Sequence, residues 1–208
     1  MVVNGRKLAG EILAGLNKEF KKLPQLTVGA VLVGENNASK SFLKQKSKAA
    51  AAAGVNFTVF TFDKKIKTGQ LWKEITALHN TKNIHGIIVQ LPLPKHIHTE
   101  KIVAAISLEK DIDALSPKPF VLAPTAEAVK FIFQKYKVKY KNKHILIIGR
   151  GRLVGQPIYN WLTAQKSSRE IMRSKTKIKI IDIKQKNQLP TLAREADIII
   201  SGVGKAGL

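Results

Sequence analysis

The sequence contains no cysteine, and this absence excludes a disulfide framework, a thiolate metal site and a cysteine nucleophile. Its 208 residues also include no apolar run long enough to span a bilayer. The first residues, MVVNGRKLAGEIL, lack the charged and then apolar order of a secretory signal. We therefore expect a cytoplasmic protein with no membrane partner and no resident metal.

Acidic side chains are scarce, because 14 Asp and Glu stand against 36 Lys and Arg, for a formal net charge of +22. A field of this sign attracts nucleic acid, a cofactor that carries phosphates, or a substrate with several carboxylates. The alternative is a lysine-rich composition spread over solvated surfaces. Charge alone does not choose among these partners.

Apolar strand-like runs alternate with helix-like segments along the chain. In the first half, the strand-like runs are LTVGAVLVG, VNFTVFTF and GIIVQ, and helical patterns cover residues 38–53 and 68–80. This order predicts an α/β fold with a parallel sheet covered on both faces. After the proline-containing stretch LSPKPFVLAPT, a helix with Thr125 as its N-cap begins a second unit. We therefore predict two domains, 1–121 and 122–208.

The second unit contains the run HILIIGRGRLVGQPIYNWL, which reads as strand, glycine turn and helix. Such a turn lets the backbone approach a pyrophosphate at a helix N-terminus, although a simple tight turn is the alternative. Asp182 ends the next strand, where an acidic residue accepts from a ribose hydroxyl, whereas Arg150 and Arg152 offer cations for phosphate. The polar, basic segment 163–177 predicts a surface helix extension or loop. The glycines follow the order GxGxxxG: Gly149, Gly151 and Gly155.

Polar side chains in the first unit suggest proton-transfer chemistry. Ser39, Phe42 and Lys46 share one helix face at spacings of three and four. A partly desolvated lysine can exchange protons near neutral pH. Gln90 and Asp113 follow buried strands, at the edge of the sheet where ligands of α/β proteins bind. A glutamine can orient a lysine, and an aspartate can bind adjacent ring N–H donors, but an ordinary surface role for each remains the alternative.

Five motifs resemble the bifunctional methylenetetrahydrofolate dehydrogenase/cyclohydrolase family: VGENNASKSFLKQKSKAAAAAGV, HGIIVQLPLPKHI, KDIDALSP, IIGRGRLVGQP and ADIIISGVGK. The resemblance implies an N-terminal folate-binding three-layer α/β domain and a Rossmann-like nucleotide-binding domain, with the active site between them. It also implies a homodimer acting in one-carbon metabolism and purine biosynthesis. The expected reactions are oxidation of 5,10-methylenetetrahydrofolate and hydrolysis of the methenyl product to 10-formyltetrahydrofolate.

The resemblance also implies roles for individual residues. Lys46 would transfer protons, Gln90 would support it, and Asp113 would hold the pterin ring. The implied folate-binding residues are Ser39, Phe42, Gln90, Leu91, Pro92, Asp113 and Thr125. The implied cofactor-binding residues are Gly149, Arg150, Gly151, Arg152, Gly155, Asp182, Lys184, Gly202, Val203 and Gly204. Folates often carry glutamate tails, so a basic surface has a use without nucleic acid.

The chain departs from the family pattern at several positions. Phe42 stands where the family generally has tyrosine, Gly151 replaces a serine, and APTA replaces PCTP. Ile183 and Lys184 stand where the family has a His-Ser pair that binds the 2′-phosphate, so NADP is the expected cofactor and NAD its alternative. The family continues past the VGK segment with further strands, a GGVGP-type loop and a final helix. We therefore expect a C-terminally shortened member whose Rossmann-like domain is incomplete.

Three other interpretations stay open at this point. The chain could be a cyclohydrolase without efficient dehydrogenation, or an inactive scaffold of the family. From a different class, a nucleic-acid-binding module finds support in QKYKVKYKNKH, where lysines alternate with Tyr136 and Tyr140. A solvated linker explains that segment better, because no recognised nucleic-acid motif accompanies it.

Overall fold

The computed structural model describes residues 2–164 and 175–204, and the chain divides into two compact units, Met1–Val121 and Leu122–Leu208. Most of the predicted polar segment 163–177 lies outside the described residues. Each unit contains one three-stranded sheet whose strands are all parallel. The predicted α/β class with parallel sheets is therefore confirmed.

The first unit has a sheet with the strand order β2-β1-β3. Val28 of the central strand pairs with Phe57 on one side and with Gly86 on the other. Each crossover between these parallel strands passes through a helix, as parallel pairing requires. The elements are α1 (Gly5–Phe20), β1 (Thr27–Val33), α2 (Asn37–Ala52), β2 (Asn56–Phe62), α3 (Thr68–Asn80), β3 (Gly86–Val89) and α4 (Thr99–Val103).

Alternation along β1 supplies a core on each face of this sheet. Val31 and Val33 pack in one apolar cluster with Leu71 and Ile75 of α3. Ala30 and Leu32 point the other way and pack in a second cluster with Leu43 of α2 and Ile88 of β3. Burial on both faces explains why the central strand reads as a continuous apolar run.

The second unit repeats this plan with the strand order β5-β4-β6. Ile145 and Ile147 of the central strand pack with Phe133 and Ile158 on one face. Leu146 and Ile148 pack on the other face with Ile181 and with apolar residues of α7. The elements are α5 (Pro124–Lys135), β4 (His144–Ile148), α6 (Gly155–Ala164), β5 (Lys177–Ile181), a 3₁₀ segment (Ile183–Gln188), α7 (Leu189–Glu195) and β6 (Ile198–Ser201).

The helices differ from the sequence expectations. The amphipathic helix α1 and the short helix α4 lie outside the predicted elements, and Asn4 caps α1 by accepting from the Lys7 N–H. The prediction that Thr125 is the N-cap of α5 is wrong, because Ala123 occupies that position and Pro124 is the first helical residue. Proline suits the first helical position because its fixed φ matches the helix and it has no N–H to satisfy. The Thr125 side chain is therefore available for another contact.

Candidate active site

Lys46 lies in the third turn of α2 and forms an ion pair with Asp113. Its Nζ donates to Asp113 Oδ2 at 2.5 Å, and the two side chains are 35% and 19% exposed. The other lysines of this helix, Lys40, Lys44 and Lys48, are exposed, and Lys40 pairs with Glu35. Lys46 therefore differs from the other lysines of α2 because it is only partly exposed and contacts Asp113, which lies in a loop far along the chain.

Asp113 stands in a loop that the buried carboxylate of Asp111 organises. Asp111 is 2% exposed and accepts from the backbone N–H groups of Leu115 at 3.0 Å and Ser116 at 2.7 Å. The Asp111 backbone also forms a parallel bridge with Ile87 of β3. The loop is therefore attached to the sheet on one side and closed on itself by a side chain.

Gln90 follows β3 directly and is buried, with 8% of its surface exposed. Its Nε2 donates to the Leu91 carbonyl at 2.7 Å, whereas Oε1 has no hydrogen-bond partner among the described residues. Leu91 and Pro92, joined by a cis peptide bond, continue the segment, the former half-buried and the latter exposed. The unpartnered Oε1 is a buried acceptor that can bind a donor.

Ser39 and Phe42 lie in different environments although both were predicted on the face of Lys46. Ser39 is 2% exposed, and its backbone N–H donates to the Asn36 side chain that caps α2. Phe42 is 64% exposed, so its ring offers a free apolar surface. Their roles in folate binding stay predictions.

The glycine turn of the second unit connects β4 to α6 in the way that the motif predicts. A Cβ added at Gly155 would lie 1.7 Å from the Gly149 carbonyl oxygen, so only glycine fits there. Gly149 has a φ of +94°, a conformation that side chains rarely adopt, and a Cβ at Gly202 would lie 2.8 Å from Val154. By contrast, a Cβ at Gly151 would meet nothing within 4 Å. This open backbone, before the first turn of α6, can accommodate a pyrophosphate.

The residues after β5 form a second part of the predicted cofactor site. Asp182 Oδ1 accepts from the Lys184 N–H at 2.9 Å, and the Lys184 side chain is exposed. Arg150 of the glycine turn reaches this strand, because its Nη2 donates to the Ile180 carbonyl at 3.3 Å. One acidic side chain, Asp182, and two basic ones, Lys184 and Arg150, therefore lie near the end of β5. Arg152 is exposed in the glycine turn.

Thr125 contacts the glycine turn within the second unit. Its Oγ1 donates to the Leu153 carbonyl at 2.7 Å, so the start of α5 is bonded to the loop between Gly149 and Gly155. After β6, Gly202 donates its N–H to Ile148, and the exposed residues Gly202 and Gly204 flank half-buried Val203.

Tyr140 of the lysine-rich segment belongs to an aromatic cluster of the second unit. Tyr140 packs against Phe133 and Trp161, with ring centroids 5.5 and 6.0 Å apart. Lys143 of the same segment pairs with Asp197 at 2.8 Å. The contacts of this segment are those of a folded connection into β4.

The described residues 2–164 and 175–204 contain no group of three or more His, Asp or Glu side chains arranged to hold a metal ion. Within the same ranges, no helix has the length and apolar character that crossing a bilayer requires.

Two contacts of the site were missed in the sequence. Asp111 accepts from N–H groups four and five residues later, beyond the reach of an Asx turn, so no local pattern distinguishes it from Asp113. The bond from Thr125 to Leu153 joins residues 28 positions apart, and no local pattern marks it.

Comparison with known proteins assigns a family model to each unit. The tetrahydrofolate dehydrogenase/cyclohydrolase catalytic domain matches residues 3–113, and the NAD(P)-binding domain of the same family matches residues 123–208. The bifunctional protein FolD of Enterococcus faecalis is 33% identical over 217 residues, which cover 98% of this chain and 74% of the relative. The bifunctional protein FolD of Listeria innocua is also 33% identical, over 99% of this chain and 73% of the relative.

Solved structures agree with these sequence matches. The bifunctional methylenetetrahydrofolate dehydrogenase/cyclohydrolase FolD of Campylobacter jejuni superposes with a TM-score of 0.83 at 29% identity, over 97% of this chain and 72% of that chain. The 5,10-methylenetetrahydrofolate dehydrogenase of the silkworm Bombyx mori also gives a TM-score of 0.83, at 28% identity over 97% of this chain and 75% of that chain.

Proposed function

Because the chain belongs to the tetrahydrofolate dehydrogenase/cyclohydrolase family, we propose that it catalyses two consecutive reactions of one-carbon folates. The first is the NAD(P)-dependent oxidation of 5,10-methylenetetrahydrofolate to 5,10-methenyltetrahydrofolate. The second is the hydrolysis of that cation to 10-formyltetrahydrofolate. The observation that carries this proposal is the pair of Lys46 and Asp113 in the unit that matches the catalytic domain.

In the hydrolytic reaction, Lys46 moves protons and Asp113 holds the ring. Lys46 acts as a neutral amine, so its ammonium proton passes to solvent before the reaction, when the pterin engages Asp113. Water then adds to the methenyl carbon and loses one proton to this amine. The bond from this carbon to N5 then breaks, the hydroxyl proton leaves to form the formyl group, and N5 receives a proton from Lys46. The second proton of the water passes to solvent, so the reaction releases one proton overall.

Asp113 and Gln90 act on this step through their hydrogen bonds. Adjacent N–H donors of the pterin bind the Asp113 carboxylate, which draws Asp113 away from Lys46 and leaves Nζ available to the water. Gln90 has a buried Oε1 without a partner in the described chain, and this oxygen accepts from Lys46 once the ion pair is broken. Phe42 offers an apolar face to the folate without the hydroxyl of a tyrosine.

The glycine turn fits a dinucleotide, because Gly149 and Gly155 bring the turn close to the start of α6 and Gly151 leaves open space. When bound, a nicotinamide dinucleotide supplies the hydride acceptor that oxidises the methylene carbon. The N–H groups at the start of α6 would hold its pyrophosphate, and Thr125 holds the Leu153 carbonyl of the same turn. The protein's other contribution is to align the reacting carbon and exclude water.

We infer that NADP is the cofactor and retain NAD as its alternative. The exposed Lys184 and the guanidinium of Arg150 offer cations near the end of β5, as a 2′-phosphate requires. Asp182 would disfavour that phosphate, but one of its oxygens is already engaged by the Lys184 N–H.

A spectroscopic assay of the purified chain tests both reactions. Nicotinamide reduction is followed with 5,10-methylenetetrahydrofolate and either NADP or NAD, and decay of the methenyl absorbance is followed separately. We expect both activities, with the higher kcat/KM for NADP. Decay of the methenyl compound without any nicotinamide reduction would identify a cyclohydrolase alone, and the absence of folate binding would identify an inactive scaffold.

We also propose that the chain acts in the cytoplasm as a homodimer on polyglutamylated folates, whose product serves purine biosynthesis. The net charge of +22 favours substrates with several carboxylates. The edge strand β2 exposes Val59, and such an edge favours association. Sedimentation equilibrium tests the dimer. The role of the charge is tested by measuring KM for pentaglutamyl and monoglutamyl substrates at low and high salt. We expect a lower KM for the pentaglutamyl substrate at low salt, and we expect high salt to remove this difference.

A further inference from the structure

Asp111 differs from every other acidic residue in the described chain, because it alone is a charged side chain that is fully buried, with 2% of its surface exposed. Within residues 2–164 and 175–204 no lysine or arginine forms an ion pair with it. Burying a charge is costly unless hydrogen bonds compensate it. Its two backbone donors, Leu115 and Ser116, supply that compensation.

The two hydrogen bonds of Asp111 close a short loop around Asp113. One carboxylate oxygen of Asp111 accepts from the Leu115 N–H and the other from the Ser116 N–H. Residues 112–114 therefore lie in a loop that these two hydrogen bonds close. Ala114 within the loop has a φ of +53°, a conformation uncommon for a residue with a side chain. The closed loop therefore fixes a backbone path that the sequence between its ends does not favour by itself.

The start of the same loop is attached to the sheet. The Ile87 N–H of β3 donates to the Lys110 carbonyl at 2.7 Å, and Ile87 pairs with Asp111 as an isolated parallel bridge. At the other end, the side chains of Leu115 and Ser116 are buried. Only the middle of the loop projects, and Asp113 there forms the ion pair with Lys46.

We propose that Asp111 is a positioning residue, which fixes the loop so that Asp113 faces Lys46 and the folate ring. Asp111 itself is too buried to touch the substrate, and its effect passes through Asp113. The part of this inference that concerns the folate rests on the proposed function, whereas the part that concerns the Lys46–Asp113 pair does not.

Two substitutions of Asp111 and one matched control test the inference. Asp111→Ala removes both acceptors, and Asp111→Asn keeps one carbonyl oxygen. Asp63→Ala is the control, because Asp63 accepts a backbone N–H from Lys65 in an exposed loop of the same unit. We expect Asp111→Ala to raise the KM for methenyltetrahydrofolate by about tenfold or more, since two charge-assisted hydrogen bonds are lost. Asp111→Asn should raise it less, and Asp63→Ala should leave it unchanged.

A double-mutant comparison separates positioning from general damage. If Asp111 acts through Asp113, the KM of Asp111→Asn combined with Asp113→Asn should equal that of Asp113→Asn alone. Multiplied effects of the two changes, or a well-folded Asp111→Ala with unaltered KM, would overturn the inference. If Asp111→Ala does not fold, Asp111→Asn carries the test.

A measurement without ligand keeps the inference separate from the proposed function. The coupling between Lys46→Met and Asp113→Asn is obtained from the urea midpoints of the two single variants, the double variant and the parent. We expect this coupling in the parent and its loss in the Asp111→Asn background. Retention of the full coupling there would refute the positioning role. Loss of the coupling in a chain that does not bind folate would refute the proposed function alone.

Discussion

Lys46 and Asp113 are 67 positions apart in the chain, and their side chains form an ion pair at 2.5 Å. The lysine comes from α2, on one side of the first sheet, and the aspartate from a loop bridged to β3. The two side chains are only partly buried, so we expect the pair to add on the order of 1 kcal/mol to stability. The pair therefore matters more for the proposed chemistry than for folding.

Replacing the Lys46 amine should separate the two activities. Lys46→Met keeps the aliphatic length and removes the proton carrier, so we expect a loss of cyclohydrolase kcat of about 10²-fold or more. The dehydrogenase reaction uses no proton from Lys46 and should retain most of its rate. The measurement is methenyl decay and nicotinamide reduction on the same preparation.

Two lysines of the same helix serve as controls for this variant. Lys44→Met and Lys48→Met make the same change at exposed positions of α2 and should leave both rates unaltered. An unimpaired cyclohydrolase in Lys46→Met would show that another group moves the proton.

The contact between Gly155 and Gly149 should make Gly155 intolerant of any side chain. Gly155→Ala would bring a methyl group to 1.7 Å from the Gly149 carbonyl oxygen, so the turn must shift. We expect destabilisation of about 1–3 kcal/mol, as for other overpacked sites, and weaker dinucleotide binding. Urea denaturation and a titration with NADP measure the two effects. Gly69→Ala, which meets nothing within 4 Å in α3, is the control: it should leave dinucleotide binding unchanged and should not destabilise the chain.

The hydrogen bond from Thr125 to Leu153 should affect the cofactor and not the hydrolysis. Thr125→Val keeps the shape and removes the donor, so we expect a several-fold higher KM for the dinucleotide, equivalent to about 1 kcal/mol. Thr125→Ser keeps the donor and should remain close to the parent. A raised KM for methenyltetrahydrofolate in the valine variant would instead support the predicted role of Thr125 in folate binding.

The sequence predicted those parts of the molecule that depend on local pattern. Apolar runs and helical periodicity gave both parallel sheets, and the motifs correctly indicated the family. The glycine spacing located a turn in which Gly155 has no room for a Cβ. Each strand, helix, turn and motif lies within a short run of consecutive residues, where periodicity and turn chemistry are direct signals.

The contacts between distant segments could not be predicted in this way. Helical spacing places Phe42 and Ser39 on the same face of α2. Spacing alone does not show which part of that face is covered by the rest of the unit, and in the structure Ser39 is buried whereas Phe42 is exposed. The ion pair of Lys46 with Asp113 joins two distant segments, and neither segment marks it, while the support of Lys46 by Gln90 stays a prediction. Loop conformation decides such pairs, and here it depends on the buried Asp111. The catalytic and binding roles of these residues stay predictions.

Cofactor choice should depend on the side chain of Lys184. We expect Lys184→Ala to lower kcat/KM for NADP several-fold and to leave that for NAD unchanged, because only NADP carries the 2′-phosphate. Lys177→Ala, at the opposite end of β5, removes the same charge from another exposed position and is the control. Equal losses of kcat/KM with NADP and NAD would show that Lys184 contacts a part of the cofactor that both molecules have in common.

The contact of Asp197 with Lys143 should make the second unit less stable in acid. Hydrogen bonds from the Lys143 ammonium and from the His144 N–H lower the pKa of Asp197 below the ordinary range of an aspartate. The folded state therefore binds this proton less readily than the unfolded state does. The contribution is fully present above the unfolded pKa and is lost as pH falls through the folded one.

Asp197→Asn removes this titration and tests its sign. We expect the variant to be less stable than the parent at neutral pH, and the difference between them to shrink as pH falls below the ordinary carboxyl range. Urea denaturation of both chains across that range measures the difference. Glu127→Gln, which neutralises one member of an exposed pair with Lys130 in α5, controls for the loss of one negative charge. A difference between parent and Asp197→Asn that grows on acidification would contradict the direction of the pKa shift.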